Sequence, residues 1–328
     1  MDLNQIYQCI PSMNLGIPRI SVLVITYKQE DVIGRTLDAI IAQKDYIYEI
    51  CVSDDCSPDS TWQILQQYQQ QYPELIKIHR NEPNLGIFEN IEQVRTMPAG
   101  EVVTMVAGDD LPGSGWYKRV VEFIKEKGID YKNELFCIYG DYKCIYPNGD
   151  SVIHSHCAIA KVDDAFRLAL RGFLNGRGCC YSRRILNKFS KVSQGKSHIA
   201  ENAQDRQLQI FSEKNYYIPK VGNVYYAKRG ISVHLTEELK KERMQIWPYS
   251  MMCFKNFGIE LCKKDMTFIK HRMAYHEYLY WGKKSKALLS FLYYLKSFDL
   301  KLFMASDTLH GVWFAIRRRL PHKHVINM

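Results

Sequence analysis

Residues 20–27 read ISVLVITY, an apolar and largely β-branched run that ends in a threonine and a tyrosine. Such a run predicts a short strand that is buried on both faces. Apolar residues at helical spacing follow it between residues 32 and 41, and a second apolar run, YEICVS, occupies residues 48–53. A strand, a helix and a second strand with connections of this length predict a parallel pair joined by a right-handed crossover.

The same alternation continues through the first third of the chain. Ser57 and Pro58 are typical of a helix start, with serine at the N-cap and proline at the first helical position. Further strands are predicted at residues 76–79 and 101–106, with a helix over residues 88–94 between them. We therefore expect an α/β fold, in which a mainly parallel twisted sheet is flanked by helices.

Polar residues follow three of these strands directly. The first strand leads into Thr26 and Tyr27, the second into Asp54 and Asp55, and the fourth into the sequence GDD at residues 108–110. In open α/β sheets, ligands bind beyond the carboxyl ends of the strands. The first strand is not followed by Gly-x-Gly-x-x-Gly, which counts against an ordinary dinucleotide site.

The two acidic pairs have more than one interpretation. Unpaired carboxylates at the end of an apolar strand are costly when they are partly buried, and Mg²⁺ or Mn²⁺ removes that cost because it prefers oxygen ligands and accepts phosphate as a further ligand. Alternatively, Asp110 caps a helix over residues 116–124, and Asp55 belongs to a turn before the next helix. The residues alone leave both interpretations open.

Four motifs in this order resemble the opening of family 2 glycosyltransferases. They are ISVLVITY at 20–27, VSDDCSPDST at 52–61, NLG at 84–86, and PAGE at 98–101 followed by AGDD at 107–110. The resemblance is strong over residues 18–125, looser up to about residue 232 and absent beyond. It implies the GT-A fold, which is Rossmann-like, and transfer of a sugar from a nucleotide donor with inversion at the anomeric carbon.

The resemblance also implies residue roles. Asp55 is expected to hydrogen-bond the uracil edge with Asp54 supporting it, while Thr26 and Tyr27 line the pocket for the base and ribose. The residues expected to bind the donor nucleotide are Thr26, Tyr27, Asp54, Asp55, Asn84, Gly86 and Asp109.

A divalent metal, Mn²⁺ or Mg²⁺, is the cofactor that the resemblance implies. Asp110 is expected to coordinate the metal that bridges the diphosphate, with Asp109 near the ribose or the metal. Many relatives carry a carboxylate where this chain has Ala107. The metal assignment therefore depends on Asp109 and Asp110 alone.

The acceptor hydroxyl is a poor nucleophile and needs a carboxylate base. By resemblance, the segment AQDRQL at residues 203–208 supplies it, which makes Asp205 the candidate base and Glu201 the reserve. A helix cap remains the alternative role for Asp205. Candidate diphosphate contacts are Arg177, which lies between two glycines, and Arg229 and His234 in the segment RGISVH; a solvated loop arginine is the alternative for Arg177.

Composition favours a packed globular protein. The chain has 328 residues, of which 46% are hydrophobic and 24% charged, so disorder is not expected. The apolar runs are shorter than the roughly 20 residues of a transmembrane helix, and the first residues lack a signal-peptide pattern. We expect a cytoplasmic protein whose ten cysteines are reduced thiols.

Positive charge is concentrated in the last third of the chain. Residues 240–328 contain 17 basic and 6 acidic residues, whereas the first 239 contain 27 and 29. Aromatic, basic helices of this kind lie on anionic membranes, which would put the protein at the inner face of the cytoplasmic membrane. The alternative, that these helices cover the back of the catalytic domain, is equally open.

The expected organisation is an N-terminal extension at residues 1–17, a catalytic domain at 18–235 and a basic, aromatic helical extension at 236–328. The catalytic domain divides into a nucleotide-sugar half (18–125) and an acceptor half (126–235). We expect an inverting glycosyltransferase that uses a UDP-sugar and a saccharide or lipid-linked saccharide acceptor.

Two other classes of function remain as alternatives. A sugar-nucleotide pyrophosphorylase would open with a glycine-rich basic loop after the first strand, and Thr26-Tyr27-Lys28-Gln29 is not one. A noncatalytic, basic nucleic-acid-binding protein would leave the acidic pairs unexplained, so no nucleic-acid partner is expected.

Overall fold

The computed structural model describes residues 16–155, 178–188, 208, 211–227, 236–245, 248, 251, 255, 260–283 and 285. The strands in these residues are β1 (Ile20–Thr26), β2 (Glu49–Asp54), β3 (Ile76–Arg80), β4 (Val102–Ala107), β5 (Leu111–Pro112), β6 (Phe136–Ile145), β7 (Ser151–His154), β8 (Cys180–Ser182) and β9 (Lys214–Tyr226). The helices are α1 (Ile33–Ile41), α2 (Thr61–Gln71), α3 (Ile87–Val94), α4 (Trp116–Lys127), α5 (Glu237–Met244) and α6 (Lys263–Trp281), with short 3₁₀ turns at Lys44–Tyr46 and Arg183–Lys188.

The described strands form one sheet in the order β3-β2-β1-β4-β8-β6-β9-β5, with β7 paired to β6. The strands β3, β2, β1 and β4 are parallel to one another, as the alternation of strands and helices predicts. Beyond β4, the strand β8 is antiparallel, and β9 runs parallel to β6. The short strand β5 pairs antiparallel with β9, which brings the residues just after β4 back to the far side of the sheet.

The central strand β1 is buried along its whole length, and its side chains alternate between two apolar clusters. Val22 and Val24 belong to a cluster that includes apolar residues of α1, α2 and α4. Leu23 and Ile25 belong to a second cluster, on the side of α3. Helices therefore cover both faces of the parallel strands, which confirms the fold class that the sequence predicts.

The helix after β2 begins later than Ser57 and Pro58 predict. Its first residue is Thr61 and its N-cap is Ser60. Ser57 does not cap a helix, because both its backbone N–H and its hydroxyl donate to Asp54. Because Ser57 donates both hydrogen bonds to the Asp54 carboxylate, it does not act as a helix N-cap. The segment after β2 therefore stays a loop.

The C-terminal residues that the structure describes include the helices α5 and α6, in line with the predicted helical extension. The indole N–H of Trp281 in α6 donates to Glu237 in α5 at 2.8 Å. None of the described helices has both the length and the hydropathy needed to span a bilayer.

A buried carboxylate ties the amino ends of the parallel strands together. Glu49 is 1% exposed and accepts hydrogen bonds from the Ser21 hydroxyl at 2.6 Å, the Lys77 ammonium at 2.6 Å and the Ala99 N–H at 2.5 Å. Burial works to raise the pKa of Glu49, but the hydrogen bonds from Lys77, Ser21 and Ala99 outweigh it, so its pKa is lowered. The ionised carboxylate therefore stabilises the junction of β1, β2, β3 and the loop before β4.

We expect Glu49→Gln to lower the free energy of unfolding by about 2–3 kcal/mol at pH 7, because it removes charge-assisted hydrogen bonds from a buried site. Since the folded pKa lies below the unfolded value of about 4.3, this stabilisation is present above that pH and is lost as the pH falls through the folded pKa. Urea unfolding at pH 7 and below pH 4 measures both effects. Glu126→Gln, which removes an exposed partner of Arg119, is the control and should unfold like the wild type; equal losses in both variants at pH 7 would contradict the role of Glu49.

Candidate active site

The strand ends that the sequence predicts to bind a ligand lie at one edge of the sheet. The parallel register aligns Thr26 with Asp54 and Ile25 with Ala107, so the carboxyl ends of β1, β2 and β4 are level. Two further backbone hydrogen bonds extend this alignment past the strands: Asp55 N–H donates to Thr26 O at 3.0 Å, and Gly108 N–H donates to Ile25 O at 2.9 Å. Both acidic pairs thus lie at one edge of the sheet, on either side of β1.

Asp54 is fully buried and is bound by the protein itself. Its carboxylate accepts hydrogen bonds from the Ser57 N–H and hydroxyl, and the Arg80 Nε lies 3.6 Å away. Burial raises the pKa of Asp54 despite these contacts. Arg80 also donates to the Ser57 carbonyl at 3.1 Å. Asp54 therefore fixes the loop after β2 and the end of β3, and its supporting role in nucleotide binding stays a prediction.

Asp55 organises the loop between β3 and α3. One carboxylate oxygen accepts from the Asn81 side chain at 3.0 Å and the Leu85 N–H at 2.8 Å; the other accepts from the Asn84 side chain and the Gly86 N–H, both at 2.8 Å. A carboxylate has about four acceptor sites, and four protein donors occupy them. The contact of Asp55 with uracil stays a prediction, and it would require one of these bonds to be given up.

Asn84 and Gly86, which the sequence analysis assigns to the donor site, are members of this loop. The Asn84 side chain also donates to the Asp55 carbonyl at 2.7 Å. Gly86 is the N-cap of α3 and has φ +93°, a conformation that residues with a Cβ rarely adopt. A glycine is therefore needed where the loop turns into α3 while its N–H still reaches Asp55.

Thr26 and Tyr27 differ in what they offer to a ligand. Thr26 is buried, and its hydroxyl donates to the Gln29 side chain at 2.7 Å. Tyr27 is 41% exposed, with the Lys28 ammonium 5.2 Å from its ring centroid. Tyr27 is thus accessible at the end of β1, with a cation over its ring, whereas the Thr26 hydroxyl is already used.

The two carboxylates that follow β4, Asp109 and Asp110, differ in how accessible they are. Asp109 is partly exposed, and its backbone carbonyl accepts from Arg35 at 3.2 Å. Asp110 is 3% exposed, and its backbone carbonyl accepts from the Thr36 hydroxyl at 2.9 Å. Asp110 is not a helix cap, because Gly115 is the N-cap of α4 and Asp110 directly precedes β5.

Asn223 of β9 contacts Asp110 directly. Its side-chain amide donates to the Asp110 carboxylate at 3.1 Å. Asn223 is 1% exposed, and its Oδ1 is buried without a hydrogen-bond partner in the described part of the chain. A buried, unsatisfied oxygen beside a carboxylate is uncommon in proteins. The buried Asp110 carboxylate and this amide oxygen are donors of the kind that a hard divalent cation prefers, and the partly exposed Asp109 is the neighbouring residue in the chain.

Asn223 has no counterpart in the sequence analysis. It lies 113 residues from Asp110, within GNVYY, where no motif or spacing marks it. Arg35 was also not predicted; its guanidinium stacks on the Tyr226 ring at 4.1 Å and its Nε is buried without a hydrogen bond in the described residues. Both residues contact the Asp109-Asp110 pair only because the sheet and α1 converge there.

The candidate base and phosphate contacts lie outside the described residues. They are Arg177, Glu201, Asp205, Arg229 and His234. Gly178, which follows Arg177, is described and lies against β9: a Cβ on it would approach the Gly222 carbonyl to 2.7 Å and the Asn223 Cβ to 2.9 Å. Its carbonyl accepts from the Trp116 indole at 2.8 Å. Trp116 is fully buried, as expected for a core residue rather than a sugar platform.

Residues 21–133 match the sequence family described as glycosyl transferase family 2. The chain carries a family 2 glycosyltransferase domain. The matched residues contain β1 from Ser21 onward and every later element up to α4, and therefore both acidic pairs. The match confirms the family that the four motifs indicate.

Curated relatives resemble the chain over the same region. A putative glycosyltransferase of Bacillus subtilis, EpsE, is 27% identical over 114 residues, which are 35% of this chain and 41% of EpsE. The poly(ribitol-phosphate) beta-glucosyltransferase of Bacillus spizizenii is 32% identical over 34% of this chain and 18% of its own length. An uncharacterised protein of Mycobacterium tuberculosis is 28% identical over 130 residues, and the match covers 39% of this chain and 36% of that protein. The chain thus spans about a third of that relative.

The fold extends further than the sequence family. The structure of Staphylococcus aureus TarS 1–349 in complex with UDP-GlcNAc matches with a TM-score of 0.58 and 19% identity, covering 80% of this chain and 73% of TarS 1–349. The structure of the same TarS segment with UDP matches with a TM-score of 0.56 and 18% identity, over 79% of this chain and 72% of that one. The α/β sheet and helices that the structure describes therefore have the GT-A fold of TarS.

Proposed function

We propose that this protein is an inverting glycosyltransferase, which transfers a sugar from a UDP-sugar to a hydroxyl group of a saccharide or lipid-linked saccharide. One observation carries the proposal: in a family 2 domain, the parallel register brings Asp54-Asp55 and Asp109-Asp110 to the same edge of the sheet, on either side of β1. TarS, which shares the fold, was solved with UDP-GlcNAc and with UDP. Both facts support a uridine nucleotide at this edge.

A divalent metal, Mn²⁺ or Mg²⁺, is part of the proposal. Among the described residues, no group of three or more His, Cys, Asp or Glu side chains is close enough to hold a metal by itself. We therefore propose that the metal binds together with the nucleotide, with Asp109 and Asp110 as its protein ligands. When bound, it supplies positive charge for the diphosphate leaving group.

The protein's own residues then have distinct roles. Tyr27 stacks on the nucleoside, Asp55 sets the loop that closes the base pocket, and Asn223 orients Asp110. Arg177, Arg229 and His234 are proposed to contact the diphosphate. Gly178, the residue after Arg177, lies against Asn223, which supports the role proposed for Arg177.

The acceptor half supplies the base. We assign this role to Asp205, with Glu201 as the reserve, because the acceptor hydroxyl must lose its proton to a carboxylate on the face opposite the leaving group. The basic extension from residue 236 onward is proposed to hold the protein against an anionic membrane, where a lipid-linked acceptor resides.

A binding experiment tests the donor assignment. We expect calorimetry to detect UDP binding with Mn²⁺ present, at least tenfold weaker UDP binding with a chelator, and at least tenfold weaker binding of ADP than of UDP with Mn²⁺ present. The reason is that the metal neutralises part of the diphosphate charge at the carboxyl ends of the strands, while the base pocket distinguishes uracil from adenine. Equal affinity for UDP and ADP, or equal UDP affinity with and without the chelator, would contradict the base or the metal assignment respectively.

A further inference from the structure

A cavity of about 360 Å³ lies between the end of α3 and the 3₁₀ turn after β8. The residues that line it and matter here are Glu92, Arg95, Thr96, Arg183, Arg184 and Asn187. Small-molecule pockets have volumes from about 300 Å³ upward. The cavity therefore has room for a small organic molecule and not only for a single ion.

The cavity lies at the edge of the sheet opposite the candidate donor site. Arg95 belongs to the connection that enters β4, and the Arg183 N–H donates to the Glu101 carbonyl, just before β4 begins, at 2.9 Å. The acidic pair Asp109-Asp110 follows the other end of β4. Because a strand rises about 3.3 Å per residue, the six residues of β4 separate the two sites by roughly 17–20 Å, so the cavity is not part of the donor site.

The charge in the cavity is unbalanced. Three arginines face one glutamate, and that glutamate, Glu92, is paired with Arg95 at 2.7 Å. Arg183 and Arg184 are exposed, and neither has a carboxylate partner in the part of the chain that the structure describes. The Arg184 guanidinium donates to the backbone carbonyl of Asn133. With respect to the described residues, the two guanidinium groups at the cavity thus have donors left for a ligand.

This arrangement selects for a phosphate. Guanidinium groups bind phosphate oxygens through paired, charge-assisted hydrogen bonds, and a net lining charge of +2 matches a phosphate dianion better than a monoanionic carboxylate. The Asn187 amide adds a neutral donor at the rim. We propose that this cavity binds the phosphate group of a small phosphorylated molecule, such as a sugar phosphate, at a second site independent of the donor nucleotide.

Calorimetry with glucose 1-phosphate and with inorganic phosphate, in metal-free buffer, tests this proposal. We expect wild-type protein to bind both, with glucose 1-phosphate the tighter ligand because the cavity exceeds the size of a phosphate. The double variant Arg183→Gln/Arg184→Gln should lose at least tenfold in affinity for both, since each guanidinium supplies charge-assisted hydrogen bonds.

The control Lys118→Gln/Lys125→Gln removes the same charge from exposed positions on α4 and should stay within twofold of wild type. UDP affinity with Mn²⁺ should be unchanged in both double variants. No binding to wild-type protein, or equal losses in both double variants, would overturn the proposal. Loss of UDP binding together with phosphate binding would show that the arginines serve the donor site. If Arg184→Gln disturbs folding through Asn133, the single variant Arg183→Gln must still show the loss of phosphate affinity.

Discussion

Asp110→Asn should abolish measurable binding of Mn²⁺ with UDP, and Asn223→Ala should weaken it about 10- to 100-fold. Asp110 is one of the two carboxylates in the GDD sequence that directly follows β4, so its loss removes a proposed metal ligand. Asn223 holds the Asp110 carboxylate through one hydrogen bond at 3.1 Å, and partners that orient a metal ligand typically account for 10- to 100-fold in metal affinity. Electron paramagnetic resonance of free Mn²⁺, titrated with protein and UDP, measures this directly without any turnover.

Asn215→Ala is the matched control for the second variant. Asn215 lies on the same strand, β9, eight residues before Asn223, and its Oδ1 is also buried without a hydrogen bond in the described residues. It is roughly 25 Å away along the strand. Both asparagine variants should lower the melting temperature to a similar extent, but only Asn223→Ala should release Mn²⁺. If both lose stability and neither loses Mn²⁺ affinity, Asn223 has a structural role only.

The sequence predicts the parallel half of the fold because local patterns determine it. The strands β1, β2 and β4 contain short apolar runs, and each connecting helix has its own apolar face. The alternation of these strands and helices predicts parallel pairing with right-handed crossovers. The position of the acidic pairs follows as well, since they come directly after β2 and β4. The sequence motifs thus predict both the fold class and the edge of the sheet at which the ligand is expected.

The other half of the sheet depends on long-range pairing that no local pattern reveals. The two residues of β5 pair with β9, and this pairing alone brings Asn223 to Asp110. For the same reason, the sequence does not predict what each residue of a motif contacts. The motif around Asp55 predicts a polar site, but the four donors that occupy its carboxylate come from residues 81–86, whose loop conformation is set by a glycine with positive φ.

The prediction that α2 begins at Ser57 and Pro58 is wrong for a related reason. Ser57 followed by Pro58 is a good N-cap pattern, yet the Ser57 hydroxyl donates to Asp54 instead. A buried carboxylate that needs donors gains more from this hydrogen bond than a solvent-exposed helix end does. Local capping rules are therefore overridden where a functional carboxylate lies three residues earlier in the chain.

Asp205→Asn should lower turnover about 10²–10⁴-fold, the usual contribution of general-base catalysis, while donor affinity stays within a few-fold of wild type. The substitution keeps the shape of the side chain and removes only the basic oxygen, so its effect belongs to the catalytic step and not to donor binding. Single-turnover transfer to a true acceptor, combined with UDP-sugar affinity from calorimetry, separates the two. The contrast with Asp110→Asn is diagnostic, because that variant should lose donor binding, metal binding and turnover together.

Glu201→Gln is the matched control for this prediction, since it removes a neighbouring carboxylate four residues earlier. It should retain near-normal turnover, and a thermal melt must show that both variants are folded. If Glu201→Gln is inactive while Asp205→Asn turns over normally, Glu201 is the base. If both variants remain active, the base does not lie in residues 201–205.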